Sequence, residues 1–456
     1  MTTKTPRKRL ALVMALALLA PGMACAQTAK EQELEARIAQ LEAQVQALIG
    51  AQQQQQASLV DTKAQLDQVK VAQAAPAADP AKSIQGTPIL TAGNPNGRFR
   101  YGGFIKVDAM ATDTNAGEIA DGSAGRMFYL PSAIPVGGVD ESGGDIDTTA
   151  QFSRFWFAAD GEVQGRKTRA YLEFDLFGGG MANLGNQAST NTHGVTLRQA
   201  YVSWDKWLAG QTWSNFQDVA ALPDAVDFVG PTEGTTFVRQ AQLRYTSGPF
   251  SVALENPQTV VGSYRSTART TSDDGSVPDL TARYTKKGDW GHVSVAGLAR
   301  QLQHETATTD ASSTGFGVSV SGKYNIGKSD DIRYMLTGGQ GIGRYVGFAL
   351  GTDGTLDALA NDIEETGVVA GFVSWRHVFD PKLRGNLMLS RAQFDNDTDW
   401  TGFGVTRSAQ SIHANLIYSP FPKLDIGAEL IFGNRELESG ADGDLRRIHT
   451  SVKYSF

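Results

Sequence analysis

The sequence predicts an all-β transmembrane barrel of sixteen antiparallel strands, preceded by an N-terminal α-helical coiled coil. Three observations predict it. The chain ends on an alternating strand, with Ile448, Thr450, Val452, Tyr454 and Phe456 on one face and Arg447, His449, Ser451, Lys453 and Ser455 on the other, which suits a wall between lipid and water. Beyond its leader, no apolar run approaches the ~20 residues a membrane helix needs. A secreted chain that sits in a membrane without such helices must close its strands into a barrel, because lipid satisfies no backbone polar group.

The leader comes first. Lys4, Arg7, Lys8 and Arg9 precede an apolar stretch from Leu10 to Ala20 and the small-x-small site Ala24-Cys25-Ala26. Residues 1–26 therefore read as a signal peptide. Cys25 raises a lipoprotein alternative, but Gly22 stands where a lipobox carries leucine. Cleavage leaves 37 basic against 48 acidic side chains, a balance of −11. That balance argues against nucleic acid as a partner. It also removes the single cysteine, and with it any disulfide or thiolate chemistry.

Residues 27–70 read as a coiled-coil stalk. Leu34, Ile38, Leu41, Val45 and Leu48 alternate at four-three spacing, and the frame continues through Gln52, Gln55, Leu59, Thr62, Leu66 and Val69. Five unbroken heptads specify a supercoiled seam. Ile and Val at a with Leu at d lean towards two strands, while the glutamine layers permit another number. Residues 71–96 form a Pro/Ala/Gly linker, extended and semi-rigid.

Residues 97–456 hold sixteen segments of barrel-strand length, centred near Ile105, Phe155, Leu172, Ala200, Ala209, Ala241, Val252, Ala282, Val295, Val318, Leu336, Phe372, Leu387, Ala414, Ala428 and Val452. Connections are expected to alternate long and short throughout, the long ones including 111–150, 178–195, 215–236, 257–278 and 346–365. Aromatic residues bracket the short turns, as with Trp204 and Trp207, Tyr245 and Phe250, or Tyr418 and Phe421. They form an interfacial girdle. The even strand count puts the stalk and the carboxyl terminus on one side, the periplasm.

The run Leu197-Arg198-Gln199-Ala200-Tyr201-Val202-Ser203-Trp204, continued by Leu208-Ala209-Gly210-Gln211-Thr212-Trp213-Ser214-Asn215-Phe216, resembles the DcaP-like outer-membrane porin family. Gly103-Phe104-Ile105-Lys106-Val107-Asp108 and Asn415-Leu416-Ile417-Tyr418-Ser419-Pro420 share the likeness. The resemblance implies a homotrimer with a helical periplasmic stalk, and uptake of small anionic solutes such as dicarboxylates. The terminal aromatics Tyr454 and Phe456 resemble the signal read by the barrel-assembly machinery.

Selectivity is expected from the lumen. Arg154, Arg169, Arg198, Arg244, Arg283 and Arg300 lie in strand segments, alongside Glu173 and Asp175. The third long connection carries Asp218, Asp224, Asp227 and Glu233. An acidic loop facing a basic wall would set a transverse field and orient charged solutes. The competing reading pairs these arginines with lumenal acids such as Glu173, Asp175, Glu255 and Glu429, stiffening the wall.

No enzyme pattern rises above this reading. The six histidines are scattered, without metal spacing. Gly317-Val318-Ser319-Val320-Ser321-Gly322 misses the nucleophile-elbow spacing, and Gly339-Gln340-Gly341-Ile342-Gly343 opens no helix. Asp395-Asn396-Asp397-Thr398-Asp399 reads as a solvated acidic loop ahead of a calcium site. No cofactor is expected. The runner-up function is structural: a membrane-to-peptidoglycan tether working through the stalk, with an incidental pore.

Overall fold

In the computed structural model the described residues are 97–139, 144–179, 189–357, 359 and 361–456. The signal peptide, the stalk core from Leu34 to Val69, and the linker up to residue 96 lie outside them.

Sixteen antiparallel strands form the wall: β1 (Arg98–Thr114), β2 (in two pieces, Asp145–Thr149 and Arg154–Val163), β3 (Arg166–Asp175), β4 (Thr196–Trp204), β5 (Trp207–Trp213), β6 (Arg239–Ser247), β7 (Phe250–Glu255), β8 (Asp279–Gly288), β9 (Gly291–Glu305), β10 (Asp310–Ile326), β11 (Asp330–Gln340), β12 (Gly367–Asp380), β13 (Leu383–Asp395), β14 (Thr406–Tyr418), β15 (Leu424–Leu437) and β16 (Asp442–Ser455). Both pieces of β2 pair with β1, one against Arg98–Phe104 and the other against Asp108–Thr112. They count as one strand broken at 150–153. Each expected segment centre falls within a strand.

The barrel closes where β1 meets β16, in register from Phe104↔Ser455 to Thr114↔Leu445. Phe456 completes the seam, donating from its N–H to the Gly103 carbonyl at 3.0 Å. Its ring lies 5.9 Å from that of Phe155. Tyr454 pairs with Ile105 on the outer face.

Alternation sorts the wall. Leu172, Val202, Val295, Val318, Leu336, Leu416, Leu430 and Val452 are exposed outwards, whereas Ser319, Ser321, Ser374, His413 and Glu429 are buried inwards. The short-turn rim carries the aromatic belt: Trp207 lies 4.9 Å from Tyr245, and Phe250 lies 4.8 Å from Tyr284.

Two expectations about the connections are corrected. The first long connection spans 115–144 rather than 111–150, because β1 stays paired with β2 out to Thr112↔Asp145 and with β16 out to Thr114↔Leu445. Strict long-short alternation fails at 306–309 and 438–441, each only four residues. Their flanking strands are long instead, 15 and 17 residues for β9 and β10, against the ~9–11 a tilted strand needs to cross. The chain makes that excursion as paired strand, so the sequence distance appears in the strands and not in the loop. On the same rim, connections 256–278 (L4) and 341–366 (L6) build a small four-stranded sheet from Thr259–Ser263, Arg269–Ser272, Gly354–Asp357 and Asp362–Glu365.

Candidate functional site

The third long connection (L3, 214–238) enters the lumen and is bonded along the inside of the wall. At its start, Asn215 donates from its backbone N–H to Glu255 Oε1 (2.7 Å) and accepts from Ser251 Oγ (2.6 Å). The loop then reaches β11, where the Leu222 carbonyl accepts from Arg333 at 2.6 Å. At β13 and β14 the Asp224 carbonyl accepts from Asn386 (2.9 Å) and Asn415 (3.0 Å). At β15 and β1 the Val226 N–H donates to Glu429 Oε2 (2.6 Å), and its carbonyl accepts from Lys106 Nζ (2.9 Å). The return leg donates from the Gly234 N–H to Ser390 Oγ at 3.0 Å. A backbone taken into a barrel needs a partner for every buried polar group, and inward-facing side chains of the wall supply them.

The four loop carboxylates serve the same anchoring. Asp218 Oδ2 contacts His292 Nε2 at 2.8 Å and accepts from Ser321 Oγ at 3.1 Å. Asp224 accepts from Arg384 Nε at 2.6 Å. Asp227 accepts from the backbone N–H groups of Tyr129, Val229 and Gly230 at 2.8, 3.0 and 3.1 Å, and lies 3.4 Å from His449 Nδ1. Glu233 accepts from Ser411 Oγ at 2.6 Å. Burial pushes the Asp227 carboxyl up, but His449 and the N–H groups outweigh it and hold it well below the usual carboxylate range. For Glu233 burial wins over the Ser411 bond and the nearby His413, so its carboxyl is raised.

The acids are bonded to the wall of β9–β16, because a buried carboxylate without a partner costs far more than one that anchors a loop. Three of the four meet or approach a wall histidine. His292, His413 and His449, scattered in sequence, share the inward face.

The six expected arginines all face inwards. Arg154 bridges Glu173 (3.2 Å) and Asp175 (3.0 Å), and Arg198 also binds Asp175 (2.6 Å). Arg169 pairs with Asp160 at 2.6 Å. Arg300 binds Asp353 at 2.9 Å and Asp279 at 3.4 Å. Arg244 and Arg283 instead donate to carbonyls at the foot of L3, those of Trp213 (2.5 Å) and Gln217 (2.6 Å). Glu255 and Glu429, expected as arginine partners, serve L3 instead: Glu255 accepts from Asn215, Gln240 and Thr281, and Glu429 from Val226, Asn415 and His413. Asp397 caps the short helix Thr398–Thr401, accepting from Asp399 N–H.

Sequence reasoning missed the aromatic half of the site. Arg239 stacks on Trp213 with its guanidinium 3.5 Å from the ring centroid, close enough for a cation–π attraction. Phe228, from L3, lies 5.2 Å from the Arg198 guanidinium and 5.7 Å from that of Arg154. Its ring stacks on Phe152 at 4.4 Å and 14°, and Phe128, Phe177 and Phe348 complete the cluster. Phe152 sits in the break of β2, where strand alternation no longer says which way a side chain points. Elsewhere Phe216 of L3 and Ile342, Tyr345, Val346 and Leu350 of L6 pack on inward apolar residues of β9 and β12–β14. Glycine makes the room: a Cβ at Gly433 would lie 2.5 Å from the Tyr129 ring.

Acids of β3, β8 and β11 are hidden behind their arginines. The side chains of Asp175 and Asp279 are 0 % exposed and that of Asp331 is 6 %, while Arg154 keeps 18 % and Arg376 27 %. Asp224, shared by Arg376 and Arg384, keeps 28 %, Asp160 25 % and Asp425 24 %.

Several solved structures are similar to this chain. The outer membrane channel DcaP of Acinetobacter baumannii superposes with a TM-score of 0.67 at 24% identity, covering 79% of this chain and 98% of that one. A loop L8 deletion mutant of OmpT from Vibrio cholerae gives 0.49 at 13% identity, covering 79% and 100%. OmpF of Salmonella typhi in complex with daunomycin gives 0.49 at 13% identity, covering 79% and 98%. No curated protein matches the sequence significantly. The family model for the DcaP outer membrane protein matches residues 19–456, nearly the whole chain. With its sixteen-stranded wall and inward-folded L3, the chain belongs to the DcaP outer membrane protein family and is an outer-membrane porin.

Proposed function

We propose that the channel passes small polar solutes by passive diffusion with a bias towards anions, dicarboxylates among them. One observation carries the reading: many lumenal carboxylates are consumed by wall and loop bonds, while guanidinium groups of β2, β3, β6 and β8 remain partly accessible. A ring of basic groups at a constriction lowers the barrier for anions, and arginine offers a carboxylate two parallel donors. Single-channel recording in a planar bilayer under a salt gradient tests it. An anion-selective reversal potential is expected, and a cation-selective one overturns the bias while leaving the porin.

The working unit in this reading is a homotrimer whose stalk, residues 27–70, stands in the periplasm as a coiled coil. The heptads from Leu34 to Val69 support this. Conductance steps in groups of three are expected from the full chain. Deleting 27–70 tests the stalk: loss of both trimer and triple steps would make it an assembly device.

A further inference from the structure

A second basic site lies away from the constriction, on the long-loop rim. Residues of L4, L6, the connection 396–405 and β15 enclose a cavity of about 210 Å³ lined by Arg269 and Arg435. Thr352, Thr355, Ser266 and Asn396 add polar groups to its lining. Neither arginine meets a carboxylate among the described residues. Arg269 donates through Nη1 and Nη2 to the carbonyls of Ala349 (2.6 Å) and Leu350 (2.7 Å). Arg435 donates from Nε to Thr406 Oγ1 (3.0 Å) and from Nη1 to the Ser132 carbonyl (3.0 Å). Arg269 Nε and Arg435 Nη2 have no protein partner among the described residues, and neither is a sealed, unsatisfied atom. Glu438 accepts from the lining residue Asn396 at 2.8 Å and meets neither arginine.

Carbonyl bonds fix both guanidinium groups without neutralising them. The consequence is a small polar chamber with two full positive charges, hydroxyl groups beside them, and N–H donors to spare. Arg154, Arg169, Arg198 and Arg300 in the wall, by contrast, each meet an acid. We propose that this chamber is an external docking site for a small dianion, a dicarboxylate or an inorganic oxyanion, held before it passes L3. It rests on the anion reading of the channel and adds to it a residence point on the entry side. Two fixed cations favour a ligand with two negative charges over a monoanion, because each charge-assisted bond is stronger than a neutral one and the groups need no reordering on binding.

The test uses the full-length protein in a planar bilayer, with succinate or inorganic phosphate added to the long-loop side. Expected are brief current interruptions whose frequency rises with probe concentration and whose apparent Kd weakens at least tenfold in Arg269→Gln. Thr352→Val, which keeps shape and charge, should weaken it less. Arg435→Lys should fall between wild type and Arg269→Gln, since it keeps a charge and loses the fork. Interruptions by succinate alone identify a dicarboxylate site, and by phosphate alone an oxyanion site. Interruptions by both assign it to dianions in general. Absence of interruptions with either probe, or interruptions unchanged in Arg269→Gln and Arg435→Lys, overturns the proposal. The reversal potential in the same bilayers judges the anion bias separately, so a cation-selective channel still interrupted through Arg269 would sink that bias and leave the site.

Discussion

Asp175 shows how one residue decides between stability and selectivity. Its side chain is fully buried and receives both Arg154 and Arg198. Removing one partner from such a buried cluster costs about 3–5 kcal/mol. Asp175→Ala should therefore lower the thermal midpoint of the folded porin, measured by loss of its heat-resistant mobility on gels. Asp175→Asn keeps a hydrogen-bond acceptor and should shift the reversal potential further towards anions with a smaller loss. Arg239→Ala should move it the opposite way, since Arg239 adds charge and is stacked on Trp213 rather than paired with an acid. Asp227 sets the pH response of the loop. Its folded pKa lies below the ordinary value of 3.8, so its stabilising contribution is present above that value and lost only as pH falls through the depressed one. Glu233 is raised above 4.5, so as pH falls it takes up its proton before Asp227 does, and that step adds stability. L3 should therefore stay fastened from neutral pH down to the ordinary Asp value of 3.8, and any conductance change over that range should vanish in Glu233→Gln; a change that survives in that variant would show that these two anchors do not set the response.

Among the elements, L3 is fastened by residues from almost every strand between β7 and β16. Glu429→Ala removes the acceptor of Val226 N–H, Asn415 and His413 together. It should raise open-channel noise and conductance while leaving the barrel assembled, as judged by an unaltered heat-resistant band. How far this was readable varies with the element. Strands announced themselves because a two-residue period must match a wall with lipid on one side; even Val202 and Ala241, ambiguous in sequence, fall outwards once paired. Arg169, Arg244 and Arg283, on cleanly alternating segments, were legible for the same reason. The direction of the L3 acids was not, since a loop has no period and its side chains are oriented by partners hundreds of residues away, as Glu233 by Ser411. Phe152 escaped because it sits where β2 breaks.

At the scale of the whole molecule, the barrel is closed by its two ends, with Phe456 bonded back to Gly103. Deleting Phe456 should cut the amount inserted in the membrane severalfold while any inserted fraction conducts normally, a separation readable by immunoblot beside bilayer recording. The closing seam has another occupant. Lys106 of β1 donates to Val226, and His449 of β16 approaches Asp227 at 3.4 Å, so L3 bridges the first and last strands from within. The inward loop and the rivet are thus one piece of chain. Maturation would then carry a built-in checkpoint: a barrel whose inward loop is misplaced lacks its inner fastening at the joint, and defects in that loop would surface to a geneticist as missing protein before they surfaced as altered traffic.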